Sequence, residues 1–135
     1  MSNIMQAVRE QKNLTTLNRG VLASGLDNVL LGRGPFTLFA PTDVAFEKLE
    51  RSTVEKLLQP QNKTELSGIL RQHVVQGKLK YEDLKDGETL KSLSGKELSV
   101  RVKDGQVSIE GANINTRDLL VSNGVIHALD TLLHN

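Results

Sequence analysis

Apolar residues in this chain recur at two different spacings, and the change comes near residue 86. Before it they fall three and four apart, as on helices with one buried face. After it they fall two apart, as on strands with one wet face. Asn3 is placed to cap a first helix with Ile4, Ala7, Val8 and Gln11 on one side. Leu14, Leu17 and Val21 mark a second helix that starts near Thr15 or Thr16 and ends at Gly25 in a left-handed conformation. Leu26, Val29 and Leu30 add a turn or two before Gly32 and Gly34. Ser52-Thr53-Val54-Glu55 has the form of a capping box, with Val54, Leu57 and Leu58 as the buried face and Pro60 as the stop. Asn62 and Glu65 open the next helix. Its stripe is Leu66, Ile69 and Leu70, and the same stripe carries His73 inward.

One stretch interrupts the helical half. Phe36 to Ala40 reads as a short buried strand between Gly34-Pro35 and Pro41. Proline cannot donate to a ladder, so the strand is expected to stop at Pro41. Thr42 or Asp43 then caps a helix carrying Ala45, Phe46 and Leu49. This corner holds all three phenylalanines; the one other aromatic residue is Tyr81.

After His73, Val74 and Val75 read as strand up to Gly77, Tyr81 to Leu84 as one helical turn, and Asp86-Gly87 as a turn. Leu90 and Leu93 come before Ser94-Gly95. Leu98, Val100 and Val102 alternate with polar residues, Asp104-Gly105 marks a hairpin, and Val107, Ile109, Ala112 and Ile114 continue the period. This is an antiparallel meander with one wet face. Leu119, Leu120 and Val121 precede an Asn123-Gly124 turn. Val125 to Leu129 is apolar on both faces except for His127, so it belongs in the middle of a sheet. Helices in the first half and strands in the second predict an α+β fold.

Composition narrows the function classes. At 135 residues the chain is one domain with room for a core. Its net charge is +1 and its basic residues are dispersed, so there is no footprint for nucleic acid. No apolar run approaches transmembrane length. Met1 to Arg9 lack a basic start followed by an apolar run, so no signal peptide is visible. The chain then reads either as an intracellular protein or as a mature domain behind a start Met. With no cysteine there is no disulfide framework and no thiol nucleophile.

Catalytic and metal signatures are missing too. There is no G-x-S-x-G and no H-E-x-x-H. A serine, His73 and Asp43 could be assembled into a triad on paper, but His73 falls on a buried stripe, where a hydrogen-bonded core histidine is the ordinary case. His73, His127 and His134 lack ligand spacing. Glu82, Asp83 and Asp86 do not fit a calcium loop, since Leu93 stands at the twelfth place. Gly32-Arg33-Gly34 is followed by Pro35 and a strand, not by the helix a phosphate loop requires. Asn13-Leu14-Thr15 and Asn62-Lys63-Thr64 are glycosylation triplets that matter only in a secreted eukaryotic protein. No metal or cofactor is expected, and no catalytic residue.

Three stretches, in order, resemble the signature boxes of the fasciclin domain family (FAS1, or βig-h3/fasciclin, domains). Phe36-Thr37-Leu38-Phe39-Ala40-Pro41-Thr42-Asp43-Val44-Ala45-Phe46 is similar to the first box. Leu70-Arg71-Gln72-His73-Val74-Val75-Gln76-Gly77-Lys78-Leu79 is similar to the middle motif. Asn123-Gly124-Val125-Ile126-His127-Ala128-Leu129-Asp130-Thr131-Leu132-Leu133 is similar to the closing box. The resemblance implies one such domain over residues 1–135: a wedge of two packed β-sheets, about seven strands, flanked by several helices in the N-terminal half. Phe36, Phe39, Pro41, Thr42, Asp43, Phe46, His73, Asn123, Gly124 and His127 would be its structural motif. Strands 36–40 and 125–129 would lie side by side.

The resemblance also implies a non-enzymatic adhesion or surface-interaction module, monomeric, extracellular or at the cell surface. The missing signal peptide leaves a cytoplasmic setting open. The partner would be a cell-surface or matrix protein, with a lipid or a polysaccharide as further candidates. The alternative is a carrier for a small ligand, lipid or pigment in an apolar cleft. In the family the middle motif is usually Tyr-His and is linked to integrin binding; here His73 matches and Gln72 replaces the tyrosine. Some animal members carry an acidic Asp-Ile motif before the closing box, also linked to integrins. Here that segment is Thr116-Arg117-Asp118-Leu119-Leu120, where Asp118 and the apolar pair match in kind and the preceding Glu and Pro are missing. The candidate partner-binding residues are therefore Asp118, Leu119, Leu120 and His73. Asp118 is expected at an accessible sheet end. His73 is expected to be buried, bonded to backbone or to the Thr42-Asp43 corner.

Overall fold

We describe residues 2–133 from a computed structural model of the chain. The helical half follows the apolar stripes. Helix α1 (Ile4–Glu10) opens with a reciprocal cap, the Asn3 side chain accepting from the Gln6 N–H at 2.8 Å and Gln6 Oε1 from the Asn3 N–H at 2.9 Å. Helix α2 (Thr15–Ser24) ends at Gly25, whose φ of +77° supplies the left-handed cap. Helix α3 (Asp27–Leu30) follows, then β1 (Phe36–Pro41) and α4 (Asp43–Glu47).

Helix α5 spans Arg51–Leu57 and α6 Lys63–Arg71, joined through a 3-10 turn at Pro60–Asn62. The expected capping box at Ser52 does not form. The Thr53 and Val54 N–H groups already bond to the Glu50 carbonyl, so Ser52 lies inside the helix, whereas a cap residue must be extended. Asn62 does not cap α6 either. Its Nδ2 donates to the Lys56 carbonyl at 2.6 Å and ties the end of α5 to the start of α6.

The strands are β2 (Val74–Gln76), β3 (Thr89–Lys91), β4 (Glu97–Lys103), β5 (Gln106–Ile109), β6 (Ala112–Val121) and β7 (Gly124–Leu129). Their order is β2-β1-β7-β6-β5-β4-β3. Strands β1 and β7 are neighbours, as expected, and run parallel from Phe36↔Gly124 to Pro41↔Leu129; all other pairs are antiparallel. A bridge at Val75↔Ser92 and a bond from Leu93 N–H to the Val74 carbonyl at 2.8 Å bring the two outer strands together. The packed sheets of the wedge are thus two arms of one ladder, folded over until it nearly closes.

Two cores result. Phe39 and Leu129 on one arm meet Leu98, Val100, Val107 and Ile109 on the other. On the opposite face of β1 and β7, Leu38, Ala40 and Ile126 pack under Ile4, Val8, Leu17, Val21, Leu66 and Leu70 of the helices. Every residue of β1 and β7 is buried, which is why neither shows polar alternation. Strand β1 continues through Pro41, one residue beyond the expected stop. The N–H groups of Phe36 and Thr42 point to β7 and that of Phe39 to the β2 side. Pro41 would point with Phe39, where β2 has ended, so its missing donor costs no bond.

Candidate functional site

The Thr42-Asp43 corner is a joint. Thr42 Oγ1 accepts from the Ala45 N–H at 3.3 Å, capping α4, and donates to the Leu129 carbonyl at 3.2 Å. Helix α2 begins at Leu14 without a side-chain cap of its own. The Asp43 carboxylate supplies one from a distance, accepting from the Thr16 N–H at 2.8 Å and the Thr15 hydroxyl at 2.7 Å. Asn123 does similar work for the closing box. It is buried, its Oδ1 accepts from the Ile4 N–H, and its Nδ2 donates to the carbonyls of Leu30 and Gly32. A Cβ on Gly124 would collide with the Phe36 carbonyl, so the close approach of β7 to β1 requires glycine there.

His73 is fully buried, in the turn after α6 rather than within the helix. Its Nδ1 donates to the Ile69 carbonyl at 2.9 Å, and its Nε2 accepts from the Leu133 N–H at 2.9 Å. The expected burial and backbone bonding are found, but the partners belong to α6 and the C-terminal segment, not to the Thr42-Asp43 corner. Both ring nitrogens are occupied and no surface of the side chain is exposed. A triad with Asp43 does not form either. Desolvation holds the His73 ring neutral, lowering its pKa from 6.5 to about 4 against the opposing pull of the Ile69 carbonyl.

The other buried histidine organises the surface of β6. His127 Nε2 donates to the Leu79 carbonyl at 2.7 Å and its Nδ1 accepts from the Asp118 N–H at 3.2 Å. Burial lowers its pKa, and the Leu79 bond and the Asp118 charge oppose that. Asp118 has φ +57° within an irregular stretch of β6, where pairing with β7 slips between Ile114, Thr116 and Leu119. It therefore stands on a mid-strand bulge, not at a sheet end. Its carboxylate is exposed and accepts from the Tyr81 N–H at 2.8 Å.

Tyr81 and Arg117 complete the cluster, and neither was singled out by the sequence. The Tyr81 hydroxyl donates to the Gly105 carbonyl and accepts from the Val107 N–H, both at 2.8 Å. The Arg117 guanidinium lies 4.3 Å over its ring. The lone tyrosine of an aromatic-poor chain was the available signal. Leu119 is half-buried against the helical core, whereas Leu120 is 39% exposed. Of the expected contact residues, the structure leaves Asp118 and Leu120 on the surface, draws Leu119 partly inward and encloses His73.

Among the described residues no three His, Cys, Asp or Glu side chains gather closely enough to hold a metal ion. Among the described residues no helix is long and apolar enough to cross a membrane. His134 lies outside the described residues.

The model of the fasciclin domain matches residues 12–135. Protein sll1483 of Synechocystis is 42% identical over 130 residues, which cover 96% of this chain and 72% of that protein. Transforming growth factor-beta-induced protein ig-h3 of Sus scrofa is 35% identical over 133 residues, 98% of this chain and 19% of that much longer protein. Among solved structures, the domain pair of the insect cell adhesion molecule fasciclin I superposes with a TM-score of 0.89 at 19% identity, covering 99% of this chain and 51% of that one. The likeness extends through both arms of the sheet and the helices over them: the chain belongs to the fasciclin domain family.

Proposed function

We propose that this domain is a non-enzymatic adhesion or surface-interaction module, acting outside the cell or at its surface, and that it meets a protein partner through the bulge of β6. The observation that carries this reading is the fixed presentation of the Asp118 carboxylate. His127 holds the backbone of the bulge, Tyr81 holds one carboxylate oxygen, and Leu120 stands exposed two residues on. Strand β5 pairs with β6 at Ala112 and Asn113, and residues 115–118 beyond them are exposed. A pre-positioned acid beside an apolar side chain lowers the ordering cost of docking. The family membership and the adhesion role of fasciclin I support the same reading.

Asp118→Asn tests it. Asparagine tolerates the positive φ and keeps an oxygen for the Tyr81 N–H. Stability should stay within ~0.5 kcal/mol of the parent, while attachment of cells to a coated surface should fall. A variant with an unchanged melting temperature and unchanged attachment would remove Asp118 from the contact surface.

A further inference from the structure

Asn123-Gly124 is the only Asn-Gly pair in the chain, and the buried Asn123 amide is a clasp. Its Oδ1 accepts from the Ile4 N–H at 2.9 Å, and its Nδ2 donates to the carbonyls of Leu30 at 2.8 Å and Gly32 at 2.9 Å. The main chain of the same turn is covered as well. The Ser122 N–H donates to the Ser2 carbonyl at 2.8 Å, and the Phe36 N–H donates to the Asn123 carbonyl at 2.9 Å. Residues 2–4 thus form one side of the clasp and residues 30–36 the other. Only the first of these sides belongs to a chain end, where local opening begins.

An asparagine before a glycine is also a reactive group, because glycine has no Cβ to shield its nitrogen or restrict its approach. Once the Asn123 side chain is free, the Gly124 nitrogen can attack Asn123 Cγ. The N–Cγ bond forms, the Cγ–Nδ2 bond breaks, and the Gly124 proton leaves with Nδ2 as ammonia. Water then opens the succinimide ring at one of its two carbonyls, giving aspartate or isoaspartate with no change of oxidation state. We propose that Asn123-Gly124 is a deamidation site guarded by the N-terminal segment: it reacts only when α1 lifts away, and the reaction makes that release permanent. In the closed clasp the amide is tied to three backbone groups and the turn to two more, so Cγ cannot swing onto the Gly124 nitrogen. After reaction the clasp cannot close again. A carboxylate has no N–H for the Leu30 and Gly32 carbonyls and would face both of them unbonded. Isoaspartate further lengthens the main chain beside Gly124, where the Phe36 carbonyl leaves no room even for a Cβ. The core inside the sheet, around Phe39, Leu98, Val107 and Ile109, contains no residue of α1, so it keeps its packing when α1 is lost.

The test is peptide mass mapping of the chain during incubation at mildly alkaline pH, once folded and once in urea. In urea Asn123 should be the first asparagine converted to the acid, and in the folded chain its conversion should be far slower. Ile4→Ala thins the packing of α1 and should raise the folded-state rate by ~10-fold or more. Val8→Ala, on the same helix, serves if that variant does not fold. Val107→Ala weakens the other core and should leave the rate within ~2-fold of the parent, since it does not touch the clasp. Asn123→Asp, made directly, copies one product. It should lose amide-exchange protection from Ile4 to Val8 and keep it in β4 and β5. The proposal is overturned if Asn123 reacts as fast in the folded chain as in urea, or if Val107→Ala accelerates it as much as the α1 variant does. It is equally overturned if Asn123→Asp keeps α1 as protected as in the parent, or lets the whole sheet exchange.

Discussion

Acidification should weaken this fold through His73, by an amount the structure sets. The ring is neutral in the native state, donating from Nδ1 to Ile69 and accepting at Nε2 from Leu133. Protonation would set an Nε2–H against the Leu133 N–H with no water to relieve it. The native pKa of about 4 lies below the ordinary 6.5, so the unfolded chain takes up the proton first as pH falls. The stabilisation is therefore complete above pH ~6.5, declines by about 1.4 kcal/mol per pH unit as pH falls towards ~4, and is gone below that. The gap amounts to about 3 kcal/mol, a large share of the usual 5–15 kcal/mol of a domain. Urea unfolding of the parent and of His73→Gln, followed by circular dichroism from pH 7.5 to 4, reads it directly. Glutamine can donate to Ile69 and accept from Leu133 but does not titrate. The stability difference between the two proteins should shrink by about 3 kcal/mol across that range, and the contributions of carboxylates and His127 cancel in the comparison. A difference that stays constant with pH, or an NMR titration placing His73 near 6.5, would refute the reasoning.

Three other outcomes follow from the packing. Phe39→Ala removes a fully buried ring that also stacks on His127 at 5.8 Å; it should cost about 3–5 kcal/mol in denaturant unfolding, and a loss below ~1 kcal/mol would place the ring outside the core. Gly124→Ala drives a methyl into the Phe36 carbonyl and should cost more than ~2 kcal/mol; a melting temperature equal to the parent's would show that β7 can retreat from β1. Asp43→Ala strips α2 of its remote cap and should cost about 1–2 kcal/mol, with amide exchange rising first at Thr16 and its neighbours.

The fold was legible where one residue has one physical option. Asn3 and Thr42 cap as expected, Gly25 takes the left-handed turn, and the unbroken apolar runs of β1 and β7 identify the central strands. Local rules failed where another bond outcompeted the expected one. Ser52 lost its cap to an earlier turn at Glu50, Asn62 bonded back to α5, and Asp43 capped a helix 27 positions upstream instead of its own. The surface site was legible only in part. Asp118 is accessible as expected, though on a bulge and not at a sheet end. The bulge beneath it depends on His127, Leu79 and Tyr81, which meet only after the sheet has folded. No periodicity in the chain encodes that meeting.

The parallel pairing of β1 with β7 also sets the order in which the molecule can assemble. Its partners are far apart in sequence, Phe36 against Gly124, whereas β3, β4 and β5 join their neighbours through short turns. Loops that long close slowly. The meander and the helical hairpins can form early, and the centre of the sheet must wait for the strand made last. Until β7 inserts, β1 and β6 each present a bare strand edge, the kind that pairs with other chains. The interval before insertion is when this protein is most exposed to aggregation, and a lesion that delays β7, such as one at Gly124, would lengthen that interval even if the finished fold survived it.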